Sequence, residues 1–185
     1  MKELKIKNSP ELSILGNNTF KIKRDSTFTC DDNKSSIYKG QYNNTVLDVE
    51  NNVIIEKNIV FENLLFCNND NKIFFSIDEY IPNIIIRQNN IFKNVTFNNC
   101  VILLSNIQNT DITDCNFNEC IIIFSSNCLL NKITNSRFYK CTFKSLLNSN
   151  LFFNVISDCI FSYSSDLSLI INDKSNIINN NAKLG

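Results

Sequence analysis

Polar side chains that could bind a ligand or act in catalysis recur at one position of a repeated sequence pattern. Each stands two residues after an isoleucine: Gln88, Asp114, Asn135 and Asp158, with Asp111 close to the second of them. If the segments that carry them are stacked, neighbouring members of this set lie about 5 Å apart. Such a column can bind a cation or a sugar, and two carboxylates two layers apart suit acid–base chemistry. The alternative is that these outward positions need only be polar, which an Asn-rich chain satisfies with Asn and Asp.

Histidine and cysteine content limits the other chemistry. The chain has no His, the commonest acid–base residue, and a catalytic thiol normally needs a neighbouring His to form thiolate. None of its eight cysteines forms a CxxC pair, so we predict no metal site and no cofactor. Cys30, Cys67 and Cys128 fall outside the repeat described below, so any disulfide is expected to involve them. The others are expected to be core residues: Cys100, Cys115, Cys120, Cys141 and Cys159.

Aromatic residues fall into two groups. Tyr139 and Tyr163 follow the Phe of a repeat by one and two residues, and we expect them to point outward. Exposed tyrosines can contact a sugar or a protein partner, so these two join the acidic column as a candidate ligand face. Five phenylalanines recur at one position of the repeat and predict a core stack: Phe61, Phe92, Phe117, Phe138 and Phe161.

The elements that must position these residues form a repeat of Ile, Phe, Cys and a further Ile or Phe. Its clearest copies begin at Ile112 and Ile133, and looser copies begin at Ile55, Ile86 and Ile156. The five phenylalanines lie 31, 25, 21 and 23 residues apart. Apolar residues within a copy alternate with period two, which is typical of short strands. Asn pairs between the apolar runs predict sharp bends, because Asn tolerates the left-handed conformation: Asn89-Asn90 and Asn98-Asn99.

The repeat resembles the right-handed parallel β-helix proteins of the pectin-lyase-like superfamily. From Val95 to Ile122 a small residue precedes a large apolar one by two, every five residues, and this stretch is also similar to pentapeptide-repeat proteins. Because the intervals depart from the roughly 20 residues of a square coil, we favour an irregular three-faced coil. The predicted fold is all-β, a single-stranded right-handed parallel β-helix (solenoid) of about five to six coils.

The resemblance also bears on activity. Polysaccharide-cleaving enzymes of the superfamily combine an Asp pair with His-Gly and Arg-x-Lys motifs, and these motifs have no match in this chain. The lyases use an Arg or Lys base near calcium-binding Asp, and among the three arginines only Arg137 lies near the acidic column. We therefore favour a protein that is not an enzyme.

The pattern divides the chain into three parts. Residues 1–50 are predicted to form an N-terminal cap or irregular first coils, residues 51–172 the β-helix coils, and residues 173–185 a polar C-terminal tail. A cap is expected because the terminal coil of a solenoid exposes apolar surface and unpaired strand edges. The stretch 67–83 is expected to leave the coils as a loop, where such proteins commonly carry function.

Charge and hydropathy limit the class of partner. Lys plus Arg equals Asp plus Glu at 18 each, so the chain lacks the basic excess that favours nucleic-acid binding. No apolar run has the length of a signal peptide or of a membrane span. The compartment stays open, with a virion and the cytoplasm as candidates.

From these observations we predict a non-enzymatic β-helix scaffold or interaction module, such as a viral, phage or host-facing structural protein. Its expected partner is another protein or a second copy of the chain. The first alternative is a β-helix that binds or cleaves a polysaccharide at the acidic column. The second is a pentapeptide-repeat-like mimic of duplex DNA, which the zero net charge disfavours.

Overall fold

The computed structural model shows a chain of short β-strands joined by turns and bends. The residues it describes are 2–31, 33–41, 44–69, 81–105, 107–125, 127–145, 150–162, 177–178 and 181–183. Within these ranges the strands are β1 (Lys2–Glu3), β2 (Leu12–Gly16), β3 (Thr19–Ile22), β4 (Thr27–Thr29), β5 (Ser36–Gly40), β6 (Val46–Val49), β7 (Val53–Lys57), β8 (Ile59–Cys67), β9 (Ile84–Gln88), β10 (Ile91–Asn98), β11 (Val101–Leu104), β12 (Asp111–Thr113), β13 (Asn116–Asn118), β14 (Ile121–Phe124), β15 (Asn127–Thr134), β16 (Arg137–Tyr139), β17 (Thr142–Ser145), β18 (Asn150–Ser157), β19 (Ile160–Ser162), β20 (Ile177–Ile178) and β21 (Asn181–Lys183). No helix occurs within them, so the predicted all-β class is confirmed.

The strands stack in parallel, each beside its counterpart in the next coil. They form one 15-stranded sheet and one 6-stranded sheet. Pairs such as β8 with β10 and β11 with β14 keep the same register over their whole length. The result is a parallel β-solenoid of about 5 turns, so the predicted β-helix architecture is confirmed.

Strands form three continuous faces of the coil, and a fourth side carries the paired first halves of β15 and β18. Face 1 consists of β2, β5, the first halves of β8 and β10, and then β12, the second halves of β15 and β18, and β20. Face 2 consists of β1, β3, β6, the second halves of β8 and β10, and then β13, β16, β19 and β21. Face 3 is the smaller sheet, with β4, β7, β9, β11, β14 and β17. In the central coil the chain returns from face 3 to face 1 past the buried Ile107.

Inward side chains stack in columns, but the main aromatic column differs from the predicted one. On face 2 successive ring centroids lie 5.2, 4.8, 4.7 and 4.9 Å apart in the series Phe66, Phe97, Phe117, Phe138 and Phe161. Phe61 and Phe92 form a separate stack on face 1, where Phe92 pairs with Ile112. The alignment of the copies that begin at Ile55 and Ile86 was therefore wrong. Both copies carry two phenylalanines five residues apart, and either one fits the pattern.

Sharp corners join the faces, and a left-handed backbone marks them. Among the described residues, the non-glycine positions with φ between +47° and +60° are all Asn or Asp except Glu119 and Lys140. Asn and Asp enter this region at the lowest cost among residues with a side chain. Asn89, Asn94 and Asn99 mark three corners at five-residue intervals. The role predicted for Asn at the bends is confirmed. Because Asn94 and its equivalent corner in the next coil, Asp114, lie 20 residues apart, this coil has four sides of five residues, and the predicted three-faced coil is wrong here.

Surface charges pair between adjacent coils. Lys39 and Glu62 occupy paired positions and their charged groups lie 3.1 Å apart. Glu56 and Arg87 likewise lie on neighbouring strands, at 2.7 Å. A single exposed pair contributes little stability. If one strand slipped by one residue relative to its neighbour, however, the two charged partners would lie on opposite faces of the sheet. These pairs therefore help to specify how the coils align.

Candidate functional site

The acidic column predicted from the sequence lies at the corner between faces 1 and 2. Strand pairing brings Asp114, Asn135 and Asp158 to the same position of three successive coils. Asn94 and Asn63 form this corner in the preceding coils, and all five residues have a left-handed backbone. Asn135 Nδ2 donates to Asp114 Oδ1 at 2.6 Å, and Asn94 Nδ2 donates to Asn63 Oδ1 at 2.8 Å. The corner conformation and these hydrogen bonds account for the Asn and Asp at this position.

Other residues predicted for the ligand face lie elsewhere. Gln88 pairs with Lys57 on face 3, because the copy that begins at Ile86 was out of phase. Asp111 lies on the outer surface of face 1, between Ile91 and Lys132 of the adjacent strands. Tyr163 lies outside the described residues, as do residues 70–80 of the expected loop and most of the expected C-terminal tail. The candidate residues that the structure describes therefore do not form one site: only Asp114, Asn135 and Asp158 come together.

Tyr139 lies on face 2, in a groove of about 620 Å³ along the outer surface. Its side chain is 40% exposed. The groove is built from two columns of outward residues, Thr96, Asn116, Arg137 and Ile160 in one, and Asn98, Asn118, Tyr139 and Ser162 in the other. The stacked phenylalanines lie beneath these columns. The groove therefore crosses successive coils at right angles to the strands.

Polar side chains in and beside the groove are held by one another. Asn118 Nδ2 donates to Asn98 Oδ1 at 2.8 Å, one coil away. At the edge, Lys140 Nζ lies 3.3 Å from Glu119 Oε1 and 5.2 Å from the centre of the Tyr139 ring. The hydrogen bond to Glu119 raises the pKa of Lys140. The groove therefore presents an aromatic ring, a guanidinium group and ordered amides on one surface.

Most of this groove was not predicted from the sequence, although a signal was present. Residues on either side of an inward Phe in a strand must point outward, because side chains alternate with period two. Asn116 and Asn118 flank Phe117, and Arg137 and Tyr139 flank the next Phe of the stack. Once the phenylalanines are aligned correctly, the triplets centred on them identify the groove.

The cysteines are core residues. The seven whose side chains the structure describes are buried, and none of them forms a disulfide with another: Cys30, Cys67, Cys100, Cys115, Cys120, Cys141 and Cys159. Burial raises the pKa of Cys115 to about 12 and that of Cys159 to about 11. Cys115 Sγ also donates to the carbonyl oxygen of Phe92, at 3.5 Å. Such thiols stay protonated at neutral pH. The core position predicted for the five cysteines in the repeat is confirmed.

Comparison with known proteins gives no assignment for this chain. No family model matches the chain, and neither a curated protein nor a solved structure matches it. In the part of the chain that the structure describes, no group of three or more His, Cys, Asp or Glu residues is arranged to hold a metal ion. Within that same part, no helix has the length and apolar character that crossing a membrane requires. The fold alone defines the class of this protein, which is a parallel β-solenoid.

Proposed function

We propose that this chain is a non-enzymatic β-helix interaction module that binds an extended partner along the groove of face 2. One observation carries the proposal. The groove of about 620 Å³ places Arg137 and the exposed ring of Tyr139 beside a row of Asn amides. A concave surface with a few convergent polar groups and an accessible aromatic ring is the usual form of a binding site.

The groove is rigid because its strands are paired on both sides. β13 pairs with β10 and β16, and β19 pairs with β16 and β21. The rings of Phe117 and Phe138 beneath it are stacked at 4.7 Å. A surface that is already ordered loses little conformational entropy on binding, so more of the contact energy appears as affinity. This rigidity supports a role as a scaffold that presents a fixed face.

A protein is the first candidate for the partner. Tyr and Arg are enriched among the residues that dominate protein interfaces. Arg137 and Tyr139 point to the same side of β16, with Leu65 and Ile160 adding apolar surface to the lining. Such a module suits a viral, phage or host-facing structural protein. The stacked parallel coils support the pectin-lyase-like superfamily as the family that we propose for it.

A polysaccharide is the second candidate, and the exposed ring of Tyr139 favours it. A sugar ring can pack on a Tyr face while neighbouring groups hydrogen-bond its hydroxyls. Asn98, Asn118 and Arg137 lie in the same groove and supply amide and guanidinium groups for those bonds. This candidate uses the groove of face 2 and not the acidic corner.

Binding of the full chain to two defined probe sets tests the proposal. One set is a peptide-display library, and the other is an array of neutral and acidic oligosaccharides. The double variant Arg137→Ala with Tyr139→Ala is expected to weaken binding at least tenfold, which is about 1.4 kcal/mol. Lys132→Ala, an exposed change on face 1, is the matched control and should leave affinity unchanged.

The identity of the bound probe separates the two candidates. Groove-dependent binding of a peptide supports the protein partner, whereas groove-dependent binding of an oligosaccharide supports the second candidate. Affinity that is equal in the wild type and the groove variant contradicts the groove as the binding site. Failure to bind either probe set contradicts the proposed function.

A further inference from the structure

Face 1 carries an apolar stripe on its outer surface. Leu12, Ile37, Val60 and Ile91 occupy the same outward position of four successive strands. Leu12 is 61% exposed and Ile91 is 41% exposed, and Ile14, next to Leu12 on the same side of β2, is 67% exposed. These side chains are neighbours, so their exposed surface is contiguous. A contiguous apolar patch on a soluble surface commonly marks an interaction site.

Charged residues border the stripe. Along its own column the next two coils have Asp111 and Lys132, so the apolar part is confined to one end of the face. Beside it runs a second outward column with Lys39, Glu62 and Lys93. Lys39 and Glu62 form an ion pair at 3.1 Å. An apolar centre with a charged rim is the usual anatomy of a protein interface.

We propose that a second copy of this chain covers the stripe, with the two solenoids antiparallel about a two-fold axis. The axis lies parallel to the strands and midway between β5 and β8. This rotation reverses the order of the coils and keeps each residue's place along its strand. Ile37 then faces the partner's Val60, and Leu12 faces the partner's Ile91. Each copy contributes the same patch, as a closed two-fold dimer requires.

Charge complementarity selects this partner and this orientation. The same rotation sets Lys39 against the partner's Glu62, and Glu62 against the partner's Lys39. Four charges of alternating sign therefore meet at the centre, beside the apolar contacts. Lys93 faces the partner's Ile14, where its aliphatic stem can cover the side chain. A two-fold axis parallel to the long axis of the solenoid would instead place Ile37 against the partner's Lys39, or would leave the columns of charged residues without partners across the interface.

This dimer goes beyond the proposed function, because it uses face 1 and does not depend on what the groove of face 2 binds. Only four strands, about 4.8 Å apart, contribute to the stripe. The interface therefore falls at the small end of the range for specific complexes. We expect a reversible dimer that dissociates in the micromolar range.

Charge-reversal variants of the full chain test the proposal. Their self-association is measured by sedimentation velocity, at loading concentrations from about 1 to about 500 µM. Lys39→Glu sets acidic side chains against each other across the two-fold axis, and Glu62→Lys sets basic ones against each other. Each variant alone is expected to dimerise at least tenfold more weakly than the wild type. An equimolar mixture of the two should recover association, because position 39 of one chain then opposes the opposite charge at position 62 of the other.

Lys132→Glu is the matched control, since it changes an exposed charge on the same face outside the stripe. It should keep the wild-type dissociation constant, and circular dichroism should show the same strand content for every variant. A wild type that stays monomeric throughout overturns the proposal. So does dimerisation that neither single variant weakens, or a mixture that fails to recover it. Probe binding in the groove is unaffected in each of these cases, so the two proposals fail separately.

Discussion

Asn135 and Asp114 are joined by a hydrogen bond of 2.6 Å from the Asn135 amide to the Asp114 carboxylate, although they lie one full coil apart in sequence. Both residues have a left-handed backbone, and both stand at the corner between faces 1 and 2. The amide and the carboxylate therefore satisfy each other within the fold. This pairing shows how a column of polar residues can arise from the needs of a corner, without a ligand.

Removal of the carboxylates tests that interpretation. In the double variant Asp114→Asn with Asp158→Asn, we expect the free energy of unfolding to stay within about 0.5 kcal/mol of the wild type, because Asn is equally tolerated at the corner. Urea denaturation measures the stability, and the groove assay measures binding. Asp111→Asn, on face 1, is the control. Loss of polysaccharide binding or cleavage in the double variant alone would support the acidic column as a functional site.

The corner backbone itself can be tested at Asn94. Asn94 has φ +53° and donates to Asn63 Oδ1. Asn94→Ala loses the hydrogen bond and puts an unsuited residue in the left-handed region, so we expect a cost of about 2 kcal/mol. Asn94→Gly loses the same hydrogen bond but relieves the backbone strain, and it should cost about 1 kcal/mol. Equal losses in urea denaturation would show that backbone conformation is not what selects Asn there.

The aromatic column is expected to dominate core stability. Phe117 is buried, and its ring lies 4.8 Å from that of Phe97 and 4.7 Å from that of Phe138. Phe117→Ala leaves a cavity between two rings and should destabilise the fold by about 3–5 kcal/mol. Phe117→Leu is the matched control, since Leu47 already occupies this column in an earlier coil. If denaturation shows the same small loss for both variants, the stack does not carry the core.

Stability is expected to fall at alkaline pH because of the buried thiols. Burial raises the pKa of Cys115 from an ordinary 9.0 to about 12. A thiol whose pKa is higher in the folded than in the unfolded state stabilises the fold fully below pH 9, and this contribution is lost as the pH rises toward 12. The loss from this residue is about 1.4 kcal/mol per pH unit. Urea denaturation at several pH values from 8 to 11 measures it.

Cys115→Ser supplies the control for this effect. Ser136 occupies the same inward position one coil later, with its hydroxyl donating to the Thr134 carbonyl oxygen at 2.9 Å, so the position accepts Ser. The variant should show a shallower loss of stability between pH 9 and 11 than the wild type. An identical pH dependence would mean that Cys115 does not contribute.

The architecture could be predicted from the sequence because its signals are local. Alternation with period two and Asn at the bends report strand and corner, and the recurrence of Phe and Cys reports stacking. The alignment of the earlier coils could not be obtained in the same way. Phe61 and Phe66 both point inward, on different faces. Only contacts between coils decide which of them continues into the stack of Phe97 and Phe117.

The candidate site depended on that alignment. Placing Gln88 in the acidic column followed from treating Phe92 as the equivalent of Phe117, and the same step concealed the groove. Arg137 and Asn116 are unremarkable polar residues when read singly. They are recognised as parts of one surface only when the phenylalanines beside them in the sequence are aligned from coil to coil. The apolar stripe was hidden for a related reason, since Leu12 and Ile37 are far apart in sequence and carry no repeat motif.

Equivalent corners in the central coil, Asn94 and Asp114, are separated by a whole number of five-residue sides. Excision of residues 95–114 would therefore join Asn94 to Cys115, and every column of stacked side chains would stay aligned. Each remaining coil would pack against the same type of neighbouring coil as before. Since coils contact only adjacent coils, such a chain behaves as a one-dimensional array, which melts inward from its ends. Its length, and with it the number of rows along the groove, can grow or shrink by duplication or loss of a coil while the contacts inside every other coil stay as they are.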